Sequence, residues 1–269
     1  MEGFDTASVF NDDFAYFYAE RVGAARTTAD LEFLETITAL RPGERVLDLC
    51  CGEGRIANHL ATTGAGVIGL DSSLDYLRRA GGATPESQPT GTGEWRVPPG
   101  AGTTRTPPRP PPPPARYVAA DARHLPFVAT LDLIICWYTS FGYFDDETNR
   151  EVLSELRRAL RPGGGLVLDL DAKEHLLRSR LPTQVRERGD DVMVEQFRWE
   201  ETTSRVRAMR TVVRDGEVRR TSYFVRVFAP EELECWLADA GLVAIEILGE
   251  DGAPFRSGDR RMVARARRA

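Results

Sequence analysis

The stretch VLDLCCGEGRIA, residues 46–57, joins a short apolar run to a helical one through a loop of small residues. Branched apolar residues ending in Asp48 read as a strand buried on both faces. Gly52 and Gly54 allow a tight turn and a close backbone approach, and the helix that begins near Arg55 points unpaired N–H groups back toward the loop. A dinucleotide fingerprint needs G-x-G-x-x-G in this place, and that frame is absent. The adjacent cysteines, Cys50 and Cys51, also suit neither a metal nor a disulfide: the chain has 4 cysteines, no C-x-x-C pair and no histidine at ligand spacing. What remains is a ligand loop between a strand and a helix, with a second acidic residue, Asp71, ending the next apolar run.

The same alternation continues outward. GVIGL (66–70), YVAA (117–120), LDLIIC (131–136) and GLVLDL (165–170) are further short apolar runs, and helical periodicity at 55–62, 73–80 and 147–160 separates most of them. Leu31, Leu34, Ile37 and Leu40 place another helix before the first strand. Beyond Asp171, polar and apolar residues alternate around 192–199, 205–214 and 218–228, with a hairpin signal at Asp215-Gly216, so three antiparallel strands are expected there. A helix at 230–240 and the runs VAIEIL and RMVARA complete a doubly wound α/β sheet of seven strands, mostly parallel.

Composition narrows the partners. The 269 residues carry 41 acidic and 35 basic groups, net charge −6, without long runs of one sign, so neither nucleic acid nor an extended anionic surface is an expected partner. All basic residues but Lys173 are arginine. The beginning MEGFDTASVF is acidic rather than basic, and no apolar run reaches membrane-spanning length; a cytoplasmic protein with reduced thiols is expected, with no membrane partner. Residues 81–116 hold 11 of the 17 prolines and read as a Pro/Gly-rich disordered insertion, either a linker or a product of compensating frameshifts in a GC-rich gene.

Taken in order, the motifs resemble those of class I S-adenosylmethionine-dependent methyltransferases, and among them the bacterial enzymes that methylate small metabolites. Cys50 stands at the first glycine position of the family's first motif, with Gly52 and Gly54 at the other two; a cysteine suits that place where the local φ is negative. GLDSS resembles the second motif, AADARHLPF the third, LDLIICWYTSFGYF the fourth, and LRPGGGLVLDL the turn and fifth strand. The resemblance implies that Tyr16, Asp48, Cys50, Gly52, Gly54, Asp71, Ser72, Asp121, Ala122 and Cys136 hold S-adenosyl-L-methionine, Asp71 through the ribose hydroxyls and Asp121 through the adenine amino group, with S-adenosyl-L-homocysteine as product and no metal. It further implies a helical lid at 1–40 containing Phe10, Phe14, Tyr16, Phe17 and Tyr18, a Rossmann-like core at 41–171 and 229–269, and an antiparallel substrate flap at 172–228.

A sulfonium already carries an activated methyl group, so such an enzyme needs alignment and water exclusion rather than a nucleophilic side chain. No Ser/His/Asp or Cys/His arrangement stands out. The candidates for acid–base help are His175, after the fifth strand, with Tyr138 and Tyr143 after the fourth; His59 and His124 read as structural. Trp137 and Phe141 are either pocket walls or packed core. The expected activity is methyl transfer to an O, N or C atom of a small organic metabolite by a monomer or homodimer. The alternatives are an S-adenosylmethionine-binding cyclase or non-catalytic partner. A nicotinamide oxidoreductase shares the sheet but lacks its fingerprint here.

Overall fold

Five apolar strands that end in polar or small residues can stack side by side only if helices cover both faces, and the chain builds this arrangement. The computed structural model describes residues 5–82, 114–179 and 182–269. Helices α1 (Thr6–Val9), α2 (Asp12–Tyr18) and α3 (Ala24–Thr38) lead into β1 (Arg45–Leu49), α4 (Arg55–Thr62), β2 (Gly66–Asp71) and α5 (Leu74–Gly82). After them come β3 (Arg116–Ala119), β4 (Leu131–Cys136), α6 (Asp146–Ala159), β5 (Leu160–Asp171) and α7 (Lys173–Ser179). Strands β6 (Thr183–Arg188), β7 (Asp191–Glu200), β8 (Arg205–Arg214) and β9 (Glu217–Arg226) precede α8 (Pro230–Asp239), β10 (Leu242–Leu248) and β11 (Arg261–Arg268).

The main sheet has seven strands in the order β10-β11-β5-β4-β1-β2-β3, with β11 antiparallel to both its neighbours and the other contacts parallel. The order reverses between β1 and β4, and there the carboxyl ends of the strands open a crevice. Two buried clusters cover the faces: α6 and α8 supply Leu153, Leu156, Leu233 and Trp236 to one, while α3 and α4 supply Leu34, Ile37, Ile56 and Leu60 to the other. Helix α6 shows the local logic well. The Asp145 side chain accepts from the Thr148 amide, acidic residues fill the first turn, and Arg157 and Arg158 end the helix.

Two features differ from the sequence reading. The flap is a sheet of four strands, β6-β7-β8-β9; the extra strand, TQVRER, is polar on both sides and gave no apolar alternation to detect. Its hairpin turn does form at Asp215 and Gly216, with φ of 54° and 77°. Pro162 and the glycines after it, expected as a turn, lie inside β5, where Gly164 runs so close to Leu131 that a Cβ would stand 2.9 Å from the Leu131 carbonyl oxygen. The insertion expected at 81–116 falls mainly on residues 83–113, outside the described residues. Among the described residues no helix is long and apolar enough to cross a membrane.

Leu153 is fully buried in the α6 cluster, and Leu153→Ala leaves a cavity there. Denaturant unfolding should show a loss of about 3 kcal/mol, within the range for buried leucines.

Candidate functional site

The loop after β1 reverses the chain in five residues, and three of them, Cys50, Gly52 and Gly54, take left-handed φ of 56°, 55° and 74°. Cys50 therefore does not keep the negative φ that would make a cysteine cost-free. The conformation carries a penalty of about 1–2 kcal/mol for an L-residue. It is held from outside: Asp71 Oδ2 accepts from the Gly52 amide at 2.9 Å and its Oδ1 from Ser73 at 2.9 Å, while Asp48 Oδ2 accepts from Ala57 in the first turn of α4 at 3.0 Å. Gly54 serves packing, since a Cβ there would stand 2.2 Å from the Tyr117 hydroxyl; Gly52 faces open space. Burial pushes the Asp48 carboxyl up to about 7, more than the nearby Arg55 and the Ala57 amide lower it. Burial likewise raises Asp71 above the usual carboxylate range, against the amides of Ser73, Gly52 and Ser72 that lower it.

One cavity of about 890 Å³ opens on this loop, within the size range of small-molecule sites. Asp48, Cys50, Gly52, Asp71, Ser72, Asp121, Ala122 and Cys136 line it, as do Tyr138, Tyr143 and His175. Two of the sequence candidates do not. Gly54 sits behind the loop, and the Tyr16 ring lies between the Arg188 and Arg214 guanidinium groups, each 4.2 Å from its centroid. Helix α2 turns Phe14 and Tyr18 into the cavity, so Tyr16, about half a turn from each, faces away. Asp121 is held by a bidentate pair with Arg123, which keeps its carboxyl below the usual range. Trp137 and Phe141 line the cavity and are also packed, 3% exposed each, Phe141 against Phe228. His59 lies on the cavity wall too, which its place in the sequence did not reveal.

The far end of the cavity is aromatic. Val9, Phe10, Phe14 and Tyr18 from α1, α2 and the residues between meet Tyr143, Tyr223 and Arg210. Phe10 packs edge-on against Tyr143 at 5.0 Å and Phe14 stacks on Tyr18 at 4.3 Å. Behind these rings lies a closed ionic cluster that the sequence did not predict. Glu195, fully buried, accepts from Arg210 Nε at 3.0 Å, from the Tyr18 hydroxyl at 2.6 Å and from the Tyr223 hydroxyl at 2.9 Å, and Arg210 also donates to the Val9 carbonyl. Burial alone would raise Glu195, but Arg210 and the two hydroxyls hold it below the usual carboxylate range. Burial, then the Glu195 charge, push the Tyr18 hydroxyl up to about 12, so it stays a donor at neutral pH. Asp13 adds a second tie between α2 and the flap, pairing with Arg214 and Arg219.

A third buried group steadies the floor. Tyr138 and Thr139, at the end of β4, both have left-handed φ, 63° and 54°. Asp169 Oδ2 accepts from the Tyr138 amide at 2.7 Å and the Asp169 carbonyl from the Thr139 amide at 2.9 Å. Arg261 bridges Asp169 to Asp30 on α3, and Asp30 also receives Arg55 from α4. The helices before the sheet are thereby tied to the cavity floor.

Residues 18–247 match the Methyltransferase domain family. An uncharacterised methyltransferase of Synechocystis sp. is 32% identical over 129 residues, 47% of this chain and 46% of that one. The chain spans less than half the length of the curated relatives it matches. A solved S-adenosylmethionine-dependent methyltransferase from Clostridium acetobutylicum superposes with a TM-score of 0.70 at 15% identity, covering 98% of this chain and 100% of that one. CalS10, an amino pentose methyltransferase from Micromonospora echinaspora solved with S-adenosylmethionine bound, gives 0.59 at 18% identity, covering 94% and 96%.

Two measurements check the loop. Because the folded state holds Asp48 protonated more strongly than the unfolded chain, the stability linked to this group is present below about pH 4 and is lost as pH rises toward 7. The melting temperature of Asp48→Asn relative to the unsubstituted protein should therefore climb between pH 5 and 8, and a flat difference would contradict the buried carboxyl. At Cys50, glycine should stay within about 1 kcal/mol of the parent in denaturant unfolding, its relief of the left-handed strain offsetting lost packing, whereas Cys50→Val should lose more.

Proposed function

The chain belongs to the methyltransferase family whose domain it matches, and we propose that it transfers a methyl group from S-adenosylmethionine to a small organic metabolite held at the aromatic end of the cavity. The observation that carries this reading is a single cavity with two chemically different ends. One end has carboxylates, a small-residue loop and a glycine that leaves the backbone open to approach; the other has aromatic rings from the first helices, the loop after β4 and β9.

The first end suits the cofactor. Asp71 retains lone pairs beyond the two amides it accepts, which fits ribose hydroxyls, and the paired carboxylates of Asp48 and Asp71 favour a cationic ligand. Asp121, Ala122, Ser72 and Cys136 line the same cavity, which supports their gripping the adenosine. When bound, S-adenosylmethionine supplies the activated methyl group and leaves as S-adenosylhomocysteine.

The residues of the chain then have three tasks. The lid and flap exclude water, with Phe10, Phe14, Tyr143 and Tyr223 lining the acceptor end. The Asp169-held turn at Tyr138 and Thr139 presents the floor of the site. For an amine or hydroxyl acceptor, a ring nitrogen of His175 takes the departing proton, with Tyr138 and Tyr143 as donors that orient the acceptor atom. Whether that atom is O, N or C follows from the acceptor. An acceptor from secondary metabolism agrees with the likeness to an amino pentose methyltransferase. The cytoplasm is the compartment we assign, in keeping with four free thiols.

Calorimetry should show S-adenosylmethionine binding, weakened by about 1–3 kcal/mol in Asp71→Asn through lost ribose contacts. Incubation with S-adenosylmethionine and metabolite extracts should yield a product heavier by one methylene unit. Absence of binding by S-adenosylmethionine and by S-adenosylhomocysteine would overturn the reading.

A further inference from the structure

A ligand at the aromatic end of the cavity meets ring faces and few groups with which to hydrogen-bond. The Phe10 ring packs edge-on against Phe14 at 5.2 Å and against Tyr143 at 5.0 Å, and Tyr143 lies 6.4 Å from Tyr223, so four rings form one wall. The polar groups beside them are committed to one another. Tyr18 and Tyr223 both donate their hydroxyl protons to Glu195, and the Arg210 guanidinium is shared between Glu195 and the Val9 carbonyl. A sugar or other polyhydroxylated acceptor placed here exchanges hydrogen bonds to water for contacts with rings, and each hydroxyl left unpaired weakens binding. A planar aromatic acceptor keeps that loss small and gains edge-on or offset contacts with the wall.

The charges around the same rings select further. The Arg210 guanidinium lies 5.2 Å from the Phe14 centroid and 5.1 Å from that of Tyr223, while Arg186 and Arg21 lie 4.4 Å and 5.7 Å from that of Tyr18. Against these three cations stands Glu195, which pairs with Arg210 at 3.0 Å and reaches Arg186 at 3.8 Å. Asp13, on the lid helix α2, is taken up by Arg214 and Arg219. Three guanidinium groups facing one carboxylate leave a positive field over the wall, and little water is present there to screen it. Ring faces that could attract an ammonium group already carry guanidinium, so a protonated amine is disfavoured. An acceptor whose reacting atom becomes negative is favoured for the same reason, and a phenolic hydroxyl, ionising to a phenolate, is such an acceptor.

We propose that the acceptor is a planar aromatic hydroxyl compound, a phenol without an ammonium group, and that it is methylated on oxygen. The inference rests on the methyl transfer proposed above and adds to it the class of the acceptor and its reacting atom. In the step, the phenolic O–H gives its proton to a ring nitrogen of His175, which lines the same cavity. The oxygen forms its bond to the methyl carbon as the bond from that carbon to sulfur breaks, and the sulfur keeps the electron pair and becomes a neutral thioether. The proton on His175 then passes to water, so a neutral phenol and a sulfonium cation yield a neutral ether, a neutral thioether and one proton.

Calorimetry on the full chain saturated with S-adenosylhomocysteine should show 2-naphthol binding roughly tenfold more tightly than 2-naphthylmethylamine, which has the same rings but an ammonium group, and more tightly than methyl glucoside. 4-Nitrophenol, whose anion alone is yellow, should gain colour on binding at a pH below its own pKa, because the bound form shifts toward the phenolate. Phe10→Leu should weaken 2-naphthol about fivefold, with S-adenosylhomocysteine affinity measured alongside as the check that the fold is intact. Failure of S-adenosylhomocysteine to bind the parent would overturn the methyl-transfer reading itself. Normal S-adenosylhomocysteine binding, with 2-naphthol held no more tightly than the naphthylmethylamine or the glucoside, would overturn this inference alone. Loss of colour from bound 4-nitrophenol would do the same.

Discussion

The chain must leave β1 at the centre of the sheet and enter α4 within five residues, and this reversal governs the site. It is achieved with three left-handed residues, one of them a cysteine, and two carboxylates hold it in place. Asp48 satisfies an amide of the α4 first turn that no helix bond reaches, and Asp71, at the end of the neighbouring strand, grips Gly52. The cost appears in the carboxyls themselves, which burial pushes upward. The shift comes from burial of the two carboxyls and is partly offset by the amides that donate to them.

The second constraint lies at the other end of the cavity. Glu195 and Arg210 are both buried, and removing either would leave an uncompensated charge in the interior. The pair is satisfied only because α2 delivers the Tyr18 hydroxyl, the stretch after α1 delivers the Val9 carbonyl, and β9 delivers Tyr223. The first two helices and the four-stranded sheet are therefore joined through a polar cluster, while the faces they turn to the cavity stay aromatic. Asp13 with Arg214 and Arg219 repeats the tie nearer the surface, where solvent screening weakens it.

The main sheet was legible because most of its parallel strands are buried on both faces and so appear as unbroken apolar runs, most of them followed by a helical period. The acidic residues ending β1 and β2 were legible for a related reason: a polar residue closing an apolar run stands at the carboxyl edge, where such sheets open their crevice. Strand β6 was not, since TQVRER carries no periodic signal and pairs only because β7 offers it an edge. The direction of Tyr16 was hidden for another reason. Half a turn of helix decides whether a ring faces the cavity or the arginines behind it, and the rotation of α2 is set by Asp13 and Tyr18, whose partners lie more than 170 residues away.

The sequence by itself therefore determined the seven-stranded doubly wound core, the loop after β1 and most of the residues along it, because local periodicity and turn chemistry encode them. Only the tertiary structure decided that Cys50 is held left-handed and that Glu195 and Arg210 pair behind the aromatic end of the cavity. These depend on contacts between segments far apart in the chain, where burial and charge pairing, rather than any residue's own preference, set the conformation.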